Sequence, residues 1–204
     1  MIYIESKRRK VERIQTQYPE ADILDITSVS IYAYARLLSP FYPHGNIPVP
    51  FTPNVYSMSV EGIWQGLKVF ELYDVDVSKF QNATMKGMKR TVRRFGKPLG
   101  HRQGVWGEKL LDYFEARIQI YLPSYKWVLD NVPQVKAIVK RIAERAINHD
   151  IVFLDYNTND DYRDLTAPLS HAGLLKMYIE GKYPNLNDNK VLSSQKAPEE
   201  RKIG

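Results

Sequence analysis

The sequence predicts a mainly α, single compact domain with a few short β-strands or a hairpin. Three observations predict it. Apolar residues recur at helical spacing in several separate segments. The β-like runs are few and short. Hydrophobic residues make up 44% of the 204 residues and charged residues 25%, enough apolar content for one core.

In chain order, 5–17 is polar and helix-compatible, with only Val11 and Ile14 as an apolar stripe. Residues 23–26 read as a short strand between Pro19 and Thr27. The stretch 39–53 holds Pro40, Pro43, Pro48, Pro50 and Pro53, which forbids a helix. A loop, or an edge hairpin turning near Pro53 and Asn54, fits it. The spacing of Val60, Ile63, Trp64, Leu67 and Phe70 predicts a helix over 59–72, capped by Ser57 or Ser59. A second helix is predicted over 82–95 from Met85, Met88, Val92 and Phe95, stopped by Gly96 and Pro98. A third, 107–122, runs through Leu110, Leu111, Phe114, Ile118 and Tyr121 to Pro123. Residues 133–148 form a fourth, 151–156 a buried strand, and 169–180 a last helix. These elements define one domain over 1–182, followed by a polar C-terminal tail over 183–204.

Cysteine is absent, so disulfides and thiolate chemistry are excluded. The four histidines show no metal-ligand spacing, and no metal or cofactor is expected. No apolar h-region follows the N-terminal MIYIESKRRK, so no secretory signal is expected, and no run approaches a membrane span. A cytoplasmic protein without membrane partners is the expectation. The net charge is +6. Eight basic and no acidic residues fall between Val77 and Gly107, so that window carries +8 and the rest of the chain −2. A basic helix with Lys86, Arg90, Arg93 and Lys97 in one stripe suits an anionic partner.

Two constellations can carry chemistry. Glu61, Gln65 and Lys68 stand at i, i+4 and i+7 on the 59–72 helix, beside Gly62 and Gly66. Glycines there cost helix stability, roughly 1 kcal/mol each against alanine. Either a ligand or a packed neighbour must come close to them. After the 151–156 strand, Asp155, Asn157, Asn159, Asp160, Asp161 and Asp164 gather in one loop. Such a loop binds sugar hydroxyls or positions a water, or it is simply a set of Asx turns.

The order of motifs resembles the NADAR family. The run Leu38, Ser39, Pro40, Phe41, Tyr42, Pro43 is followed by Tyr56, Ser57, Met58, Ser59, Val60, Glu61 and then by Trp64, Gln65 and Lys68. The basic 86–102 segment ahead of Trp106 and Lys109 continues the similarity, which spans 23–178. Gly62 stands where that family has histidine, and Tyr162 and Arg163 where it has tryptophan and glycine. The resemblance implies hydrolysis of a C1′–N glycosidic bond in a phosphorylated ribosyl or ADP-ribosyl substrate, of the riboflavin-pathway ribosylamine phosphate or ADP-ribosyl-guanine type. ADP-ribosylated nucleic acid is included among the implied partners.

The implied roles are as follows. Glu61 stabilises the oxocarbenium-like ion or activates water, with Asp160 and Asp161 sharing the base role or binding ribose hydroxyls. Lys68, Arg93, Arg94 and Arg36 bind phosphate. Trp106 stacks on the base or packs over the sugar. Ser39, Phe41, Gln65, Asp155 and His171 complete the binding set. The competing reading is a non-catalytic nucleotide, ADP-ribose or nucleic-acid binding module that uses the basic 86–102 helix.

Overall fold

The computed structural model describes residues 1–184, so the predicted tail falls outside the described residues from 185 onward. The domain is mixed α/β, not mainly α. Its centre is a three-stranded parallel sheet of β1 (Ile2–Ser6), β2 (Asp22–Asp25) and a late strand, Ile151–Asp155, which lies between them. Helix α1 (Val11–Gln17) joins the first two strands. The sequence reading assigned Glu5 to a helix because residues 1–6 carry no long apolar run. Edge pairing supplies what composition did not: β1 matches the central strand from Ile2 opposite Ile151 to Ser6 opposite Asp155.

The central strand is buried at all five positions, the pattern of a parallel strand covered on both faces. Val152 and Leu154 pack with Ile14 of α1 and Ala21 on one face. Ile151 and Phe153 join the main core on the other.

After the four-residue α2 (Ala33–Arg36), the proline-rich stretch forms the hairpin β3 (Ile47–Pro48) and β4 (Tyr56–Ser57). Its turn holds Phe51 and Asn54 at positive φ. Helix α3 (Val60–Gly66) begins at Ser59, whose side chain accepts the Gly62 N–H at 3.0 Å. It ends six residues before the predicted limit. Val69 and Phe70 belong instead to β5 (Lys68–Phe70), where a β-branched and an aromatic residue are buried against the strand that follows. A 3₁₀ turn, Val77–Gln81, packs back on α3.

The predicted 82–95 helix is reduced to α4 (Val92–Phe95). Asn82 Oδ1 accepts the Thr84 N–H, and Met85 and Gly87 take left-handed φ of 59° and 63°, which breaks helical pairing. The chain then forms β6 (Pro98–Arg102) and β7 (Leu110–Leu111); β6 lies between β5 and β7 in a second sheet and is antiparallel to both.

A capping box between Asp112 and Glu115 starts α5 (Tyr113–Ala116). It leads into a π turn, Arg117–Tyr121, and then α6 (Leu122–Asn131). The widened turn lies directly ahead of Pro123, whose missing N–H disrupts regular pairing. The remaining elements are α7 (Pro133–Ala146), the central strand β8 (Ile151–Asp155) and α8 (His171–Ile179). Among the described residues, no helix is long and apolar enough to cross a membrane.

Candidate functional site

Ligand clefts in open parallel sheets lie beyond the carboxyl ends of the strands. Here Thr27 and Ser28 follow β2, and Asp155, Tyr156 and Asn157 end or follow β8. All five border a cavity of about 420 Å³. Helix α3 forms another wall through Glu61, Trp64 and Gln65, and the Tyr113–Tyr121 segment a third through Tyr113, Arg117 and Tyr121.

Glu61 is almost fully buried (7% exposed) because Ser59 caps α3 and the Glu61 N–H donates to the Pro40 carbonyl at 2.9 Å. Its Oε1 accepts from Gln65 Nε2 at 2.8 Å. Gln65 Oε1 in turn accepts from Lys68 Nζ at 3.1 Å and from the Arg90 N–H at 2.9 Å. Burial pushes the Glu61 carboxyl above its usual range, against the opposing pull of Gln65, Lys68 and Lys89. Burial likewise lowers Lys68, and Glu61 partly restores it.

Asp155 and His171 form a buried pair at the end of β8, with Nδ1 3.0 Å from Oδ2. The same oxygen accepts from Ser170 Oγ at 2.7 Å, and Oδ1 accepts the Tyr156 N–H at 2.7 Å. His171 Nε2 faces the Ile26 carbonyl at 3.0 Å. With an acceptor at each ring nitrogen, the imidazolium is the form that satisfies both. Burial favours neutral forms of both groups. The pairing overrides it, raising His171 and holding Asp155 at about 2. Since both N–H groups are engaged, the pair ties α8 to the sheet and to β2.

Arg117 is fully buried and, among the described residues, has no carboxylate partner. It donates to the carbonyls of Tyr162, Asp164 and Ala167 and to the Tyr113 hydroxyl. Arg90 is similarly held, by the carbonyls of Lys68, Gln65 and Asp74, between the rings of Phe70 and Phe95. With Lys68 and Lys89 they make the cavity walls strongly cationic around one unpaired carboxylate, Glu61. Behind Trp64, His101 stacks at 3.8 Å between ring centroids. Burial and then the charge of Lys68 push it down to about 3, so it is neutral.

The cavity therefore gathers Ser39, Phe41, Glu61, Gln65, Lys68, Asp155 and His171 from the predicted set. It does not include the others. Asp160 and Asp161 are exposed: Asp160 packs on Gly173 and faces Lys176 at 3.9 Å, and Asp161 caps a turn through the Arg163 N–H. Asx-turn chemistry occupies Asp161, and Asp160 is turned to Lys176; neither lines the cavity. Trp106 is 72% exposed, and Trp64 is the tryptophan of the cavity wall. Arg36, Arg93 and Arg94 are exposed outside the lining, because α2 and α4 are single turns that present them to solvent. The predicted basic helix does not exist as such, and of its stripe Arg90 is buried.

Residues missed by the sequence reading include Thr27, Ser28, Lys89, Arg117 and Tyr121. A signal existed for Arg117, a lone cation four residues from both Tyr113 and Tyr121 inside an apolar stripe.

Residues 6–175 match the family model described as "Family of unknown function (DUF6939)". No match was found among curated proteins.

Proposed function

The chain belongs to the DUF6939 family, and we propose that it is an N-glycosidase hydrolysing the C1′–N bond of a phosphorylated ribosyl or ADP-ribosyl substrate. The observation that carries this reading is the buried Glu61 carboxylate in a cavity whose other walls are cationic. The similarity of the 38–68 motifs to the NADAR family supports the same reaction class.

In this reading Lys68 and Lys89 bind the substrate phosphate by charge-assisted hydrogen bonds, and Arg117 adds positive potential from within the wall. Trp64 packs against the aglycone or sugar. The C1′–N bond breaks with its electron pair passing to nitrogen, leaving an oxocarbenium-like ion at C1′. Glu61 stabilises that ion and takes a proton from the attacking water, whose oxygen bonds to C1′; the proton removed from that water passes through Glu61 or solvent to the departing nitrogen, so one water balances the reaction. A carboxylate moved above its usual range by burial is a better base near neutrality.

The test is hydrolysis of three substrates: ADP-ribosylated guanine in single-stranded DNA, free ADP-ribosyl-guanosine, and a pyrimidine ribosylamine phosphate. Wild type and Glu61→Gln are run side by side. The expected result is release of base or ribosyl product by wild type, with the variant reduced at least a hundredfold while retaining ligand affinity. The acid limb of the rate profile should lie above the ordinary glutamate value of 4.5, in the direction set by burial. Absence of turnover on all three, with tight binding of one, would replace hydrolysis by ligand binding.

A further inference from the structure

The proposed reaction leaves Tyr121 without a role. It closes the π turn and lines the cavity, its ring edge-on to Trp64 at 5.5 Å and 73°. Neighbouring tyrosines spend their hydroxyls on protein groups. Tyr125 donates to the Leu38 carbonyl at 2.7 Å, Tyr183 to the Leu122 carbonyl at 2.8 Å, and the Tyr113 oxygen accepts from Arg117 at 3.2 Å. Among the described residues the Tyr121 hydroxyl makes no hydrogen bond. A half-buried tyrosine on the cavity wall whose hydroxyl has no protein partner is free to meet a ligand.

Two features fix what it can offer. Burial, reinforced by the nearby Glu61 charge, keeps the phenol protonated, so it is a donor. Trp64, against which its ring packs, is three residues after Glu61 and on the same side of α3, so Tyr121 stands on the Glu61 side of the cavity. π turns recur at functional sites because the extra residue re-aims side chains that a regular helix would place elsewhere.

We propose that Tyr121 is a specificity-determining residue whose hydroxyl donates to the 2′-hydroxyl of the ribosyl ring and selects ribosyl over 2′-deoxyribosyl substrates. This rests on the N-glycosidase reading, which puts C1′ beside Glu61. The 2′-hydroxyl is carried by the neighbouring carbon and is the sugar hydroxyl such a donor meets. Because the phenol donates to that oxygen in the bound ground state, the effect appears in affinity and KM and carries through to kcat/KM.

The experiment compares ribosyl and 2′-deoxyribosyl forms of the hydrolysed substrate, and binding of ribose 5-phosphate and 2-deoxyribose 5-phosphate, in wild type and Tyr121→Phe. The Phe variant keeps the ring against Trp64, and its melting temperature should match wild type. Wild type should favour the ribosyl form about tenfold or more in kcat/KM and in affinity. The variant should lose that preference by falling on the ribosyl form alone. An unchanged ribosyl to deoxyribosyl ratio in the variant, or no discrimination by wild type, overturns the assignment. If wild type binds the two sugar phosphates unequally but hydrolyses nothing, the hydrolase reading falls, and loss of the binding preference in Tyr121→Phe still upholds Tyr121. If wild type binds neither and hydrolyses neither form, both fall.

Discussion

Replacing Gly66 by alanine should destabilise the domain, although alanine is the better helix former. A Cβ on Gly66 would lie 2.3 Å from Phe80 Cε1, 2.8 Å from its Cδ1 and 3.1 Å from the Asp76 carbonyl. Phe80 is only 1% exposed and has no open space to retreat into. Its segment is also tied down: the Asp76 N–H donates to Gly66 O at 2.8 Å, and the Phe80 carbonyl accepts from the Met58 N–H at 2.7 Å and from Ser57 Oγ at 3.2 Å. Overpacking a rigid site costs about 1–3 kcal/mol, and helix propensity returns at most about 1. The expected net loss is about 1–2 kcal/mol, or a Tm lowered by roughly 2–8 °C for a chain of this size. Thermal unfolding followed by circular dichroism measures it. In a Phe80→Leu background, where the ring carbons are gone, the penalty should shrink, giving a coupling of about 0.5–2 kcal/mol. A Gly66→Ala protein that melts higher than wild type would refute the reasoning, since propensity would then outweigh the contact.

Three further outcomes follow from the buried charges. The Asp155–His171 pair predicts a stability plateau with two edges: the Asp155 contribution is present above its ordinary 3.8 and lost as pH falls toward about 2, whereas the His171 contribution is present below 6.5 and lost as pH rises through its raised value. Urea midpoints across pH should show both edges, and His171→Gln should remove the alkaline one; an unchanged alkaline edge would contradict the pairing. Asp155→Asn, which leaves a buried imidazolium without its counterion, should cost about 3–5 kcal/mol by the same urea assay. Arg117→Lys cannot reproduce a fork that serves three carbonyls and a hydroxyl, so amides in 159–167 should exchange faster by hydrogen–deuterium mass spectrometry, with a loss of about 2–3 kcal/mol. Unchanged protection there would show the loop to be held by other contacts.

Part of the site was legible because Glu61 and Gln65 sit one turn apart on α3, with Lys68 just past its end at the start of β5. The spacing of Glu61, Gln65 and Lys68 and the two glycines announced a crowded, polar-faced turn. The structure shows the close neighbours of Gly62 and Gly66 to be the Lys79 carbonyl and the Phe80 ring. The buried strand and the helices at 60–66, 133–146 and 171–179 were also readable, because apolar periodicity reports burial directly; the helix at 122–131 was not, and the predicted 107–122 helix is instead β7, α5 and the π turn. The fold class was not. Strand β1 is recognisable only through a partner about 150 residues away, and β5 continues the apolar stripe of α3 with residues that satisfy either period. The 82–95 error has a local cause, the left-handed Met85 and Gly87. Arg90 read as part of an exposed stripe suited to an anionic partner, because sequence cannot show carbonyls that converge from Gln65, Lys68 and Asp74.

The arrangement of the central sheet also dictates the order in which this chain can fold. β1 and β2 are not paired with each other; the strand pairing of each is to β8, across 149 residues from Ile2 to Ile151 and 129 from Asp22 to Ile151. On a growing chain the first two strands therefore wait unpaired until residue 155 has been made. Closure of loops this long makes folding slow and leaves two strand edges open to wrong partners in the meantime. The cavity inherits the delay. Asp155 and His171, which finish its wall, are among the last described residues to be synthesised, so the Glu61 helix can form early but faces a completed site only at the final step.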